Sequence, residues 1–228
     1  IGQKKLSEKG EDINALRELA IQATILEKNQ EAFELWQRLL ALNPNSKLAA
    51  IAYVNMGTIY NRMERFEDAL DAGQKAVACD PDLKEARYNL AMAELHCGNA
   101  LNTIRILEDL LSAFPDYPPA QFILSAAYCC AGSKEKGLDG IRKLKNTPLG
   151  AHLDMPCLEL AQSLISAGKI EYALLVLGAA IECDIVNKEI LDLFAECIKM
   201  NDNAQKLSEI PPTVLTDRRP IKFENLPQ

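Results

Sequence analysis

Residues 50–83, AIAYVNMGTIYNRMERFEDALDAGQKAVACDPDL, decide the fold. Within them Tyr53, Met56, Gly57 and Tyr60 fall at i, i+3, i+4 and i+7, the spacing that gathers side chains onto one stripe of an α-helix. Gly57 lowers helix propensity, and the expected compensation is close approach by a neighbouring backbone. That neighbour is a second helix opened by Arg65-Phe66-Glu67-Asp68, along which Ala69, Ala72, Gly73 and Ala76 form a seam of small side chains. Pro81 stops it, because proline lacks the amide donor and biases Asp80 away from helix. The stretch predicts two antiparallel helices joined by a short turn.

The pattern recurs. The small position reappears as Ala20, Gly57, Ala91, Ser125, Ala161 and Ala195, at separations of 37, 34, 34, 36 and 34 residues. Pro44, Pro81, Pro115 and Pro148 keep the same beat, with Ile185 replacing proline in the fifth unit. Gly98, Gly132 and Gly168 each follow the small position by seven residues, where a first helix must end in a left-handed cap.

In these positions the chain resembles the tetratricopeptide repeat. Tyr53, Met56, Gly57, Tyr60, Ala69, Ala76 and Pro81 match its ~34-residue consensus, with Gly73 standing where a large apolar residue is usual. The resemblance implies an all-α, right-handed superhelical solenoid of about five helix hairpins plus a C-terminal capping helix. The expected divisions are a polar lead-in at 1–12, five repeats within 13–186 (about 13–46, 50–83, 84–117, 118–151 and 154–186), a capping helix with a short partial helix at 187–210, and an extended tail at 211–228. Thr103 and Gly137 replace the crossing alanine and Glu94 the aromatic, so repeats three and four are expected to be looser.

Alanine and leucine dominate and aromatics are few, which suits helix-on-helix packing. A net charge of −7 disfavours nucleic acid, and no apolar run reaches the ~18 residues of a membrane span. Seven cysteines without a C-x-x-C pair read as reduced core thiols, which favours a reducing compartment such as the cytoplasm. A chain that begins at Ile1 without a methionine is compatible with an excised piece, so that localisation is provisional.

No catalytic machinery, cofactor or metal site is expected. His96-Cys97 and Cys129-Cys130 bring imidazole and thiols to the ends of adjacent first helices, but neighbouring helical residues point ~100° apart and converge poorly on one ion. A Cys/His nucleophilic pair would also need an oxyanion hole.

In the family resembled, first helices line a concave groove that takes extended peptides or helices. The implied groove positions are Val54, Asn55, Thr58 and Asn61 in repeat two, and Tyr88, Asn89, Met92 and Leu95 in repeat three. Phe122, Ala126 and Cys129 follow in repeat four, then Leu158, Gln162 and Ile165 in repeat five. The family's carboxylate-clamp pattern does not fit: Arg17 and Asn55 match, but Ile21 and Glu85 do not. The expected function is a non-catalytic scaffold holding an apolar protein or peptide segment. The alternatives are the substrate-presenting part of a larger transferase or a secretion-type chaperone. Self-association, and docking of the tail through Ile210, Val214, Leu215, Ile221, Phe223 and Leu226, are further expected modes.

Overall fold

The computed structural model describes residues 12–42 and 44–201, so the lead-in, the partial helix and the tail, with its docking reading, lie outside the described residues. The described chain is all helical. Five hairpins pair α1 (Ile13–Ile25) with α2 (Asn29–Ala41), α3 (Ser46–Arg62) with α4 (Phe66–Cys79), α5 (Lys84–His96) with α6 (Ala100–Ala113), α7 (Pro118–Cys130) with α8 (Lys134–Lys145), and α9 (Asp154–Ser166) with α10 (Ile170–Glu182). A 3-10 turn (Pro148–His152) precedes α9, and α11 (Lys188–Met200) closes the array.

Local chemistry sets the ends of these helices. Asp12 and Asn187 cap α1 and α11 by accepting from the Asn14 and Ile190 amides. Every first helix ends on a left-handed residue: Glu27, Glu64, Gly98, Gly132 and Gly168 all have positive φ. In each case the following amide bonds back five residues, as Lys28 N to Ala23 O, Arg65 N to Tyr60 O, Asn99 N to Glu94 O, Ser133 N to Tyr128 O and Lys169 N to Leu164 O. This repeated cap closes the first helix and launches the second without a side-chain cap.

Two separate apolar clusters hold the stack. Leu16, Trp36, Leu39, Met56 and Ile59 centre the N-terminal one, and Leu95, Leu107, Leu138, Leu164, Leu177 and Ile190 run through the C-terminal one. Neither includes a residue of α4, whose buried face is Phe66, Ala69, Ala72, Gly73 and Ala76. Gly73 explains its departure from the consensus: a Cβ there would lie 3.0 Å from the Leu90 Cα, so α4 and α5 touch nearly backbone to backbone.

The glycines also correct the expected looseness of repeats three and four. Thr103 is fully buried and its hydroxyl donates to the carbonyl oxygens of Ala91 and Asn99. A Cβ on Gly137 would fall within 2.6 Å of the Ser125 carbonyl oxygen, which makes the α7–α8 crossing tight. By contrast, a Cβ on Gly57 would meet its nearest atoms at 3.7 Å, an ordinary contact, so close approach does not require glycine there. Opposite signs are expected for one substitution: Gly57→Ala should stabilise by up to ~1 kcal/mol through helix propensity, whereas Gly137→Ala should cost ~1–3 kcal/mol. Urea melts of the two variants check this, and shifts of the same sign would contradict the packing described.

The stacking order changes at the fifth hairpin. Up to α8, each hairpin is received by its first helix: α3 packs on α2, α5 on α4 and α3, and α7 on α6 and α5. Beyond the 3-10 turn it is the second helix, α10, that packs on α7 and α8. Lys134 pairs with Glu182 at 2.6 Å and the Lys145 ammonium donates to the Cys183 carbonyl at 2.7 Å, fixing α10 in that place. Helix α9 finds its extended packing on α10 and α11 instead. The α9–α10 turn reaches back past repeat four, since the Tyr172 hydroxyl donates to the Gly98 carbonyl at 2.9 Å and Ser166 to the Glu64 carboxylate at 2.8 Å.

Candidate functional site

Because the fifth hairpin is turned, α9 faces the first-helix side of the stack across a gap. Pro156, Glu159, Leu160 and Ser163 on α9 look toward Tyr88 and Met92 on α5 and Pro118, Pro119, Phe122 and Ile123 on α7. Leu144, His152 and Leu153 complete a largely apolar cleft of about 450 Å³. Tyr88 packs at a tilt against Tyr117 at 5.6 Å between centroids, and burial, then Tyr117 and Glu159, push its phenol up to about 12. The ring therefore keeps its proton near neutral pH and acts as an uncharged wall.

One polar contact joins α9 to α5 across the gap. Ser163 Oγ lies 2.6 Å from His96 Nε2, and the imidazole is 2 % exposed against the Phe66 ring. Burial lowers its pKa from 6.5 to about 4, so the ring is neutral at pH 7. The pair resembles half of a nucleophile–base arrangement, but His96 Nδ1 has no hydrogen-bond partner to orient it, and Ser163 sits inside a helix whose amides are already bonded. The contact reads as a tie between helices.

The expected groove residues divide into three sets. Tyr88, Met92 and Phe122 come together in the cleft, Phe122 being 5 % exposed. Leu95, Ala126 and Cys129 are buried within the C-terminal core, not on an open wall, because the turned hairpin packs against α7 and the end of α5. Gln162 is exposed and Ile165 half-buried, and neither they nor the buried Leu158 line the cleft.

In repeat two, Val54, Asn55, Thr58 and Asn61 are half-buried on α3. Asn89 donates to Val54 O at 3.1 Å and Thr58 Oγ1 at 3.3 Å, while Asn55 donates to Ile51 O and Thr58 to Val54 O. These amides already serve the scaffold. The Asn61 carbonyl oxygen is the exception, buried without a partner among the described residues.

Ser163, Glu159, Leu160, Pro156 and His152 line the cleft, yet periodicity gives no sign of them, because they become a wall only through the changed stacking. One signal was available. Helix α10 carries no charged residue between Glu171 and Glu182 and buries Ala173, Val176, Leu177, Gly178, Ala179 and Ala180, too wide an apolar face for an outer helix.

All seven cysteines are free thiols. Burial pushes Cys129 and Cys197 up to about 11 and Cys157 to about 12, so these remain protonated. Among the described residues no three His, Cys, Asp or Glu side chains group as a metal set, and no helix is long and apolar enough to cross a membrane.

The architecture is that of a helical-repeat solenoid. Residues 11–82 match the tetratricopeptide repeat family, and the described chain as a whole has the fold of tetratricopeptide-repeat proteins. YrrB, described as a TPR protein with an unusual peptide-binding site, superposes with a TM-score of 0.59 at 19% identity, over 84% of this chain and 96% of its own. A tetratricopeptide repeat protein from Parabacteroides merdae gives 0.56 at 21% identity, over 86% and 75%. The type IV pilus biogenesis factor PilW gives 0.56 at 18%, over 87% and 90%. No curated protein sequence matches the chain.

Proposed function

We propose that the protein is a non-catalytic scaffold that holds a segment of another protein against its first-helix face, in the cleft between α5, α7 and α9. The observation that carries this reading is the cleft itself: about 450 Å³, walled by Tyr88, Met92, Phe122 and Leu160, on the side where the repeat architecture presents its first helices. The peptide-binding site named for YrrB, a protein of the same fold, supports it.

Met92 is the residue to change, because it lines the cleft while only half-buried. Proteins retained from an extract of the source organism by the immobilised chain should be lost with Met92→Glu, while the helical circular-dichroism melt stays within a few degrees. Retention of the same proteins by both forms would overturn the reading.

A further inference from the structure

The cleft is closed at one end and rimmed at the other. The Ser163–His96 contact bridges α9 and α5, with Ser166 on Glu64 beyond it, whereas exposed Pro119 and His152 border the opposite end.

Charge around the cleft is one-sided. Glu159 is its sole carboxylate lining, exposed and without an ion-pair partner among the described residues. The nearby cations are engaged: Lys84 lies over the Tyr117 ring at 5.3 Å, and Arg87 is held by Pro81 O and Asp82. Tyr88 and Phe122 add aromatic rings beside that carboxylate.

We infer that the cleft beneath α9 takes a partner segment that sets an apolar side chain between Tyr88, Met92 and Phe122 and a lysine or arginine against Glu159. This rests on the scaffold reading above and narrows it from any segment to a basic-flanked apolar one. The turned hairpin makes the site, for α9 supplies both the roof and the charge.

Random twelve-residue peptides displayed on phage and panned against the full chain test it. The expected selection is an apolar residue with Lys or Arg within two positions. Panning Glu159→Lys should replace the basic residue with Asp or Glu, and the wild-type consensus peptide should bind that variant at least tenfold more weakly. Filling the cleft with Ser163→Trp should abolish binding, and Met92→Trp serves if the first variant fails to fold. No consensus, a consensus indifferent to Glu159→Lys, or binding that survives cleft filling would overturn the inference. If Met92→Glu still releases the natural partner while Glu159→Lys changes nothing, the scaffold reading stands and the charge rule falls.

Discussion

Trp36→Ala is expected to cost about 3–5 kcal/mol, the range for emptying a fully buried indole site. Trp36 is fully buried at the centre of the N-terminal cluster, among Leu16, Ala20, Leu39 and Ile59. Its Nε1 donates to Thr24 Oγ1 at 3.0 Å, and that hydroxyl in turn donates to Ala20 O at 2.8 Å. Because Thr24 keeps its own bond to Ala20 after the truncation, the loss is mostly cavity and contact. Trp36→Phe therefore separates the parts: it retains a ring, loses the donor, and should cost less than half as much. Chemical denaturation followed by circular dichroism measures both, and equal costs would mean that the hydrogen bond, not the packing, holds the pair α1–α2.

The second large effect is on pH. His96 has an ordinary pKa near 6.5 in the unfolded chain and about 4 in the fold, with burial as the cause. Between those values the unfolded chain binds the extra proton, so stability contributed by the neutral ring is complete above about 6.5 and is lost as pH falls toward 4. At about 1.4 kcal/mol per tenfold change in proton affinity, the drop amounts to about 3 kcal/mol. His96→Gln keeps a polar group near Ser163 without titrating. The difference in unfolding free energy between wild type and variant, measured from pH 7 to pH 4, should close by that amount; a constant difference would contradict a buried neutral imidazole.

Much of the architecture was legible because each local choice agreed with the next. The three glycines seven residues after the small position do take the left-handed conformations expected of them. The same cap at Glu27 and Glu64 was invisible, since a carboxylic residue carries no sign of positive φ. Gly137 looked like a gap in the pattern and proves to be a point of closest approach, a distinction that depends on where Ser125 lies across the crossing. The candidate site was legible only in part. Tyr88, Met92 and Phe122, groove positions that the resemblance implies, line one cleft, but periodicity identifies the buried stripe of a helix without saying which neighbour buries it. The exchange of roles between α9 and α10 is a tertiary choice made after the 3-10 turn, and with it came Glu159 and Ser163.

The seam at α4 has a bearing on how the first-helix face is presented. Where side chains are bulky, the angle between successive hairpins can be adjusted by rotamer changes; with Gly73 against the Leu90 backbone, that adjustment is missing. The seam therefore sets one angle between the N-terminal hairpins and the C-terminal body. On the far side of that angle the Ser166–Glu64 bond is made of two exposed side chains that water can separate at little cost, so the seam and not this bond fixes it. A methyl group's worth of bulk at Gly73 would force α4 and α5 apart and shift Asn55 and Asn61 relative to the cleft without touching a residue in it.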